Sequence, residues 1–373
     1  LVSGEKKQKM KIYKTVKGFD YYGTKIVMPD EVFRYHFEIL YGWVNCYYNQ
    51  QGVCTELQER DDFEIYPDFQ TPDWAKGATI YQVFPDRFYA SGQADLTGKL
   101  KPYTIHENWY DEVDWKPTPD GQVLNNDFFG GNFRGITEKM DYIASLGTTI
   151  LYLNPISKSF SSHRYDTGDY KTPDPMLGTE ADFQALCRAA HSRGIRVILD
   201  GVYSHTGSNS LYFDREWTFG GNGAYCTKDS PYYSWYTFYH YPDSYHCWWN
   251  FDTLPTVNKM DPKFIEYVIT GEDSVLAHWL KLGADGFRLD VVDELPDEFV
   301  LLLKKRLREL KPDALLIGEV WEDASNKIAY SRRRRYFVDG ELDSCMNYPF
   351  RTAILNFIKG LDDGRGLAET VMT

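Results

Sequence analysis

Residues 286–294 read GFRLDVVDE, and the remainder of the chain is interpreted outward from this stretch. Phe287 and Leu289 alternate with Arg288 and Asp290, as side chains alternate between the two faces of a β-strand. Arg288 and Asp290 therefore share a face, where a guanidinium favours the ionised form of a neighbouring carboxylate. An ionised Asp at a strand end is suited to act as a nucleophile. Taken alone, the same pattern more often marks a structural ion pair.

Strands and helices alternate on both sides of this stretch. Apolar runs predict strands near residues 78–84, 148–153, 195–200, 286–291, 314–319 and 344–347. Apolar stripes at helical spacing predict helices near residues 136–146, 181–192, 262–282, 296–310 and 351–358. Alternating βα units imply a parallel sheet with right-handed crossovers. We therefore expect an α/β fold, a (β/α)8 TIM barrel of which about six units are present.

Two segments depart from this alternation. Residues 1–70 predict strands near 11–13, 24–28, 34–40 and 44–48, as in part of an N-terminal β-sandwich module. Residues 206–258 are rich in Tyr, Trp and Gly and predict an inserted B subdomain. The barrel is then expected to occupy residues 71–205 and 259–373. Because strands seven and eight are missing and Leu1 replaces an initiator Met, we expect the chain to be truncated at both ends.

Composition excludes several classes of function. The net charge of −13 disfavours nucleic acid and anionic membranes as partners, and no apolar stretch is long enough to span a bilayer. Aromatic residues make up 16% of the chain, and their flat faces suit the C–H faces of sugars. The six cysteines show no metal-binding spacing, so we expect free thiols and a cytoplasmic rather than secreted location, with a Cys46–Cys54 bridge as the alternative.

Two other strands also end in acidic residues. The third ends in DGVYSH (200–205) and the fifth in IGEVWED (317–323). An Asp and a Glu on adjacent strands converge at the mouth of a barrel, and two carboxylates flanking a bond are what glycoside cleavage requires. Arg288 is expected to keep Asp290 ionised, and the apolar Val–Trp pair after Glu319 favours its protonated form.

Eight stretches occur in the order that is found in the α-amylase superfamily of glycoside hydrolases, which this sequence resembles. They are YQVFPDRF (81–88), GGNFRGITEKMDYIASLGTTILYLNPI (130–156), SSHRYDTGDY (161–170), DGVYSHTG (200–207), CWWNFDTLPTVN (247–258), GFRLDVVDE (286–294), IGEVWED (317–323) and DSCMNYPFR (343–351). The LPTVN segment is similar to that of the neopullulanase, cyclomaltodextrinase and maltogenic amylase group within the superfamily.

The resemblance implies a role for each matching residue. Asp290 is the expected nucleophile, Glu319 the general acid and base, and Arg288 the residue that holds Asp290 ionised. The other implied residues bind the cleaved sugar or line its cleft, and they are Asp200, His205, Tyr165, His163, Asp166 and Trp249. The implied activity is retaining hydrolysis of α-1,4 bonds, and also of α-1,6 bonds, in maltodextrins, cyclodextrins or pullulan.

Two alternative functions remain open at this stage. The same residues serve transglycosylation of α-glucans, in which a sugar hydroxyl replaces water. A non-catalytic glucan-binding relative is the other alternative, against which the intact acidic residues argue. The superfamily has a further motif, with a His and a third essential Asp, on its seventh strand. The sequence ends before it, so we expect this chain alone to be inactive and the parent protein to be an enzyme.

The resemblance also bears on cofactors and partners. Relatives bind calcium after the first strand, but here residues 90–95 offer few of the oxygen ligands that calcium requires. We therefore expect no required cofactor and no metal site, with Asn125, Asn126 and Asp127 as the alternative calcium ligands. The expected partners are an α-glucan and, in the whole protein, a second copy bound through the N-terminal module.

Overall fold

The computed structural model describes residues 1–58, 61–119, 121, 123–325, 327–338 and 340–360, and the chain forms two compact units. The first unit comprises Leu1–Gln70, Val320–Glu341 and the chain from Met346 onward. The second comprises Thr71–Glu319 and Leu342–Cys345. All of the candidate site residues belong to this second unit.

Six parallel strands form the main sheet of the second unit, and they lie in the sheet in the same order as in the sequence. They are β1 (Ile80–Val83), β2 (Ile150–Leu153), β3 (Arg196–Gly201), β4 (Gly286–Leu289), β5 (Leu315–Gly318) and β6 (Ser344–Cys345). Every residue of β2, β4 and β5 is buried, as expected for a parallel sheet covered on both faces. The prediction of six βα units is confirmed.

The register of the sheet determines which side chains meet at its carboxyl end. Asp200 of β3 pairs with Arg288 of β4, and Leu289 of β4 pairs with Gly318 of β5. Asp290 and Glu319 each follow directly after their strand. The three carboxylates therefore lie at the same edge of three adjacent strands.

The helices of the second unit follow the strands. They are α1 (Phe133–Glu138), α2 (Met140–Ser145), α3 (Glu180–His191), α4 (Pro262–Ile265), α5 (Val275–Leu282) and α6 (Asp297–Leu310), with a π-helical turn at Glu266–Thr270. The single helix predicted for 136–146 is divided in two, because Lys139 leaves the helical conformation (φ −93°, ψ 9°). Thr179 and Asp182 form the predicted capping box of α3.

Shorter pairs of strands occupy the loops of the second unit. Thr104–Ile105 pairs in parallel with Asp127–Phe128. Two antiparallel pairs are formed by Ser157–Ser159 with Thr167–Pro173 and by Phe238–His240 with Ser244–Tyr245. The second of these hairpins lies within the region between β3 and α4, which is rich in aromatic residues.

At the opposite, amino end of the sheet, an Asp precedes β4 and another precedes β6. Asp285 accepts a hydrogen bond from the backbone N–H of Val197 (2.8 Å), and Asp343 accepts one from that of Leu316 (2.8 Å). Both carboxylates are fully buried and form ion pairs, Asp285 with His191, Arg196 and Lys311, and Asp343 with Lys304 and Arg308. We call these two residues the anchoring aspartates, because each binds a strand to its neighbour.

The described residues of the first unit form short strands and one α-helix, α7 (Tyr348–Lys359). The strands are Val2–Ser3, Lys6–Lys7, Lys11–Val16, Phe19–Gly23, Phe33–Tyr35, Phe37–Tyr41, Val44–Asn49, Gly52–Cys54, Phe63–Ile65, Ile328–Ala329 and Arg332–Arg333. The strand predicted near 24–28 is wrong. Lys17 and Gly18 both have positive φ (52° and 81°), which closes a tight hairpin and brings its second strand forward to Phe19–Gly23.

The alternative of a disulfide between the two N-terminal cysteines is not formed. Tyr47 lies opposite Cys54, so Cys46 points to the other face of the sheet, and both thiols are free. Among the described helices, none has the length and apolar character that crossing a bilayer requires.

Candidate active site

Arg288 is the centre of a cluster of charges at the carboxyl ends of β3, β4 and β5. Its Nη1 donates hydrogen bonds to Asp200 Oδ1 (2.6 Å) and Asp290 Oδ1 (2.8 Å). Its Nη2 lies 2.9 Å from Glu319 Oε2. The side chains of all four residues are at most 10% exposed. The structure therefore brings together the three acidic residues that the sequence predicted, and it places them on one guanidinium.

The balance of charge at Asp290 differs from the prediction that Arg288 keeps it ionised. Burial, together with the negative charges of Asp200 and Glu319, raises the pKa of Asp290 to about 7 against the opposing effect of Arg288. Burial also raises the pKa of Asp200. Because Asp200 and Asp290 are both buried and share one guanidinium, their two carboxyl groups titrate together and retain a proton close to neutral pH.

Glu319 has a more polar setting than its apolar sequence neighbours predicted. In addition to Arg288, its Oε2 accepts a hydrogen bond from the backbone N–H of Val291 (2.9 Å). That residue directly follows Asp290 and has a left-handed backbone conformation (φ 36°, ψ 60°). The carboxylate of Glu319 is thus bound to the strand that carries Asp290.

Two tyrosines and an asparagine complete the surroundings of Asp200. Asp200 Oδ2 accepts hydrogen bonds from the hydroxyls of Tyr152 (2.5 Å) and Tyr165 (3.0 Å), and Asn154 Nδ2 donates to the Tyr165 hydroxyl (3.0 Å). The sequence analysis identified Tyr165 but missed Tyr152 and Asn154. The available signal was a hydroxyl-bearing Tyr inside the otherwise apolar strand β2, whose inward position the alternation of side chains predicts.

The loop that carries Tyr165 owes its shape to the other two residues predicted there. Asp166 Oδ2 accepts hydrogen bonds from the backbone N–H groups of Phe160 (3.1 Å) and Ser161 (3.2 Å). His163 Nδ1 accepts one from the N–H of Tyr165 (3.0 Å), and burial lowers the pKa of His163. Asp166 therefore holds the loop in place, and the neutral imidazole of His163 lies beside the Tyr165 ring.

An aromatic wall extends from the cluster toward solvent. The His205 ring lies 5.3 Å from the Trp248 ring, which in turn stacks on Trp249 (5.2 Å between centroids, 21° between planes). Trp249 is 60% exposed. Burial lowers the pKa of His205 to about 3, and within the described residues no group hydrogen-bonds its buried Nε2. Trp249 thus presents an open indole face to solvent, whereas the neutral imidazole of His205 is enclosed behind Trp248.

Two of the three alternative calcium ligands, Asn126 and Asp127, already make contacts within the protein. Asp127 Oδ1 pairs with Arg87 (3.1 Å), and Asp127 Oδ2 with His106 Nε2 (3.1 Å). The side-chain amide of Asn126 donates to the carbonyl oxygen of Pro102. These contacts do not suit a cation, and whether the protein requires calcium stays a prediction.

Comparison with known proteins shows which family the sequence of this chain matches. A sequence profile described as alpha amylase, catalytic domain, matches residues 82–365. The chain is 36% identical to an amylopullulanase of Thermoanaerobacterium saccharolyticum, over 89% of this chain and 28% of that protein. It is 31% identical to a cyclomaltodextrinase of Thermoanaerobacter pseudethanolicus, over 91% of this chain and 56% of that protein.

A solved structure gives the same result at the level of the fold. The type III pullulan hydrolase from Thermococcus kodakarensis superposes with a TM-score of 0.67 and 33% identity, over 92% of this chain and 58% of that one. The chain thus spans between about a quarter and three fifths of the length of these relatives.

Proposed function

The chain belongs to the alpha-amylase catalytic-domain family, and from this premise we propose that its carboxylate cluster serves a retaining hydrolase of α-1,4-glucosidic bonds, and also of α-1,6 bonds. The proposed substrates are maltodextrins, cyclodextrins or pullulan. The relatives named for action on cyclomaltodextrin and pullulan support this choice. The whole protein, of which this chain supplies the family domain, is the proposed enzyme.

One observation carries the proposal. Asp290 and Glu319 lie on adjacent strands, and both are within hydrogen-bond distance of the guanidinium of Arg288. Retaining glycosidases need their two carboxyl groups about 5–5.5 Å apart, whereas inverting ones leave room for a water at about 6.5–9.5 Å. Sharing a single guanidinium favours the shorter separation and therefore retention.

The first proposed step forms a covalent intermediate. A carboxylate oxygen of Asp290 attacks the anomeric carbon as the bond from that carbon to the glycosidic oxygen breaks. Glu319 gives its proton to the departing oxygen, so that the leaving sugar departs as a neutral alcohol. Arg288 stays beside both carboxylates and offsets the change in charge, because its guanidinium remains protonated throughout.

The second proposed step releases the product. Glu319, now a carboxylate, takes a proton from water while the water oxygen attacks the anomeric carbon and the bond to Asp290 breaks. Two inversions give net retention. In this proposal Asp200, Tyr165 and His205 bind the hydroxyl groups of the same sugar, and Trp249 stacks on a neighbouring one.

Exchange of each carboxylate tests these roles in the whole protein. Asp290→Asn and Glu319→Gln are each expected to lower kcat/KM on a maltodextrin by at least about 10²–10⁴-fold, because each removes a group that acts in the transition state. The matched control is Asp73→Asn, whose side chain is 96% exposed, and which should hydrolyse normally. Hydrolysis at the wild-type rate by Asp290→Asn would contradict the mechanism and favour a glucan-binding role.

External nucleophiles distinguish the two roles from each other. With an α-maltosyl fluoride substrate and azide, Glu319→Ala is expected to give the α-azide, because azide displaces Asp290 from the β-linked intermediate. Asp290→Gly should give the β-azide, because azide attacks the substrate directly. The same azide anomer from both variants would refute the assignment. Products formed from concentrated maltotriose then separate hydrolysis from transglycosylation.

A further inference from the structure

Val291 has a backbone conformation that its side chain disfavours. It lies between Asp290 and the 3-10 turn Val292–Glu294, with φ 36° and ψ 60°. β-Branched residues are genuine outliers in this left-handed region, since Cβ then approaches the backbone too closely. Such a conformation persists only where surrounding contacts impose it, and it is found preferentially at functional sites.

The contacts that impose it come from both neighbouring strands. The N–H of Asp290 donates to the carbonyl oxygen of Gly201 in β3 (3.0 Å). The N–H of Val292 donates to the backbone carbonyl of Glu319 (3.2 Å), and the N–H of Glu319 to that of Leu289 (3.0 Å). Residues 290 and 292 are thus fixed to opposite neighbours, and the turn between them aims the N–H of Val291 at Glu319 Oε2 (2.9 Å).

We propose that Val291 is a positioning residue, whose strained backbone holds Glu319 Oε2 so that Oε1 is the oxygen that carries and transfers the catalytic proton. The inference rests on the proposed function and adds to it. Oε2 receives two donors, the N–H of Val291 and Nη2 of Arg288, and both favour the oxygen that carries negative charge. The proton is therefore directed to the other oxygen.

The charged and titratable groups near Glu319 influence how its carboxyl group responds to pH. Arg288 contacts it directly, and Asp290 interacts with it across the cluster. Asp200 shares the same guanidinium and carries the hydroxyls of Tyr152 and Tyr165. All of these groups remain when only the N–H of Val291 is removed, so that a change in the titration of Glu319 is attributable to that donor.

The test replaces the amide of residue 291 by an ester in the whole protein, through incorporation of the α-hydroxy acid analogue of valine. This keeps the side chain and deletes the N–H alone. The N–H of Val291 favours the ionised carboxylate, so its loss is expected to move the limb of the kcat/KM profile that follows Glu319 up by about one pH unit, the effect of one lost hydrogen bond to a charged group. The limb that follows Asp290 should move less.

The matched control is the same ester at Val292, which removes a bond to the backbone oxygen of Glu319 and leaves its carboxylate untouched. It should leave the limb that follows Glu319 in place. An unmoved limb in the 291 ester, or equal movement in both esters, would overturn the proposal. Wild-type hydrolysis by Asp290→Asn would instead overturn the proposed function, so the two failures are distinguishable.

A glycine variant gives a second measurement that does not depend on the ester variant folding. Glycine adopts positive φ without a steric penalty, so the crystal structure of Val291→Gly is expected to keep the left-handed conformation and the hydrogen bond to Glu319 Oε2. The limb of its kcat/KM profile that follows Glu319 should then match the wild type. A glycine that relaxes to negative φ, with the carboxylate of Glu319 unmoved, would show that the strained backbone does not position it.

Discussion

At the scale of single residues, the site concentrates negative charge in a buried place. Asp200, Asp290 and Glu319 share one guanidinium, and burial raises the pKa of Asp290 to about 7. An unfolded Asp has a pKa of about 3.9, so the folded protein binds this proton more tightly than the unfolded chain does. A group of this kind contributes stability below pH about 4 and loses that contribution as the pH rises toward 7. Asp290 therefore opposes folding at neutral pH.

Asp290→Asn is accordingly expected to stabilise the protein while it removes activity. At pH 8 the asparagine carries no charge to repel its neighbours, and the free energy of unfolding should rise by about 0.5–2 kcal/mol. The difference should shrink toward zero at pH 4, where the wild-type Asp290 is protonated in the folded state. Thermal unfolding midpoints at both pH values measure this, with the exposed Asp73→Asn as the control. A lower midpoint at pH 8 would contradict the charge argument.

The sequence was sufficient for the acidic residues but not for their surroundings. Asp200, Asp290 and Glu319 follow apolar runs, and the carboxyl ends of parallel strands meet at one edge. The left-handed conformation of Val291 had no signal, because it is imposed by hydrogen bonds to residues that are distant in sequence. Tyr152 is buried like its apolar neighbours, and only the register of the sheet shows that its hydroxyl reaches Asp200.

At the scale of elements, the strands β1 to β5 were predicted well because each contains a short apolar run. The strand predicted near 24–28 was wrong because a tight turn sets where that strand begins. Lys17 and Gly18 form a two-residue turn, and the second strand of the hairpin follows at once, five residues earlier than its β-forming composition suggested. The anchoring aspartates had no sequence signal at all, since their partners come from other strands and helices.

Asp285 is expected to contribute strongly to stability. Burial alone would raise its pKa, but hydrogen bonds from His191, Lys311 and the N–H of Val197 hold the pKa well below its usual range. Asp285→Asn leaves Arg196 and Lys311 without their carboxylate, which typically costs about 3–5 kcal/mol when a buried pair is broken. Urea unfolding at pH 7 measures the change in the free energy of unfolding.

The control for Asp285 is Asp313→Asn, since Asp313 is half exposed and lies 3.6 Å from Arg196. Its effect should stay within about 0.5 kcal/mol. The sign of the pH dependence is opposite to that of Asp290. A carboxyl with a lowered folded pKa stabilises above pH about 4 and loses its contribution as the pH falls, so the two proteins should converge in acid. A difference that grows in acid would refute this account.

At the scale of the whole molecule, protection from exchange should follow the sheet. Strands β2, β4 and β5 are fully buried, whereas β1 has exposed residues and β6 is only two residues long. Amide hydrogen exchange followed by mass spectrometry is therefore expected to be slowest in peptides covering β2, β4 and β5. Lys11–Val16, in which every residue is exposed, is the fast reference. Equal rates in β4 and in Lys11–Val16 would contradict the assigned core.

The strand order of the sheet also has a consequence for synthesis. Neighbours in the sheet are neighbours along the chain, from β1 to β6. On the ribosome, each βα unit can therefore dock on the edge left by the previous one as soon as it emerges. Strand β4, which leads to Asp290, is in place before β5, which leads to Glu319, is translated. The catalytic pair is therefore completed late. A pause in translation between β4 and β5 would leave the nucleophile strand exposed as an unpaired edge, which is the state most open to aggregation and to capture by chaperones.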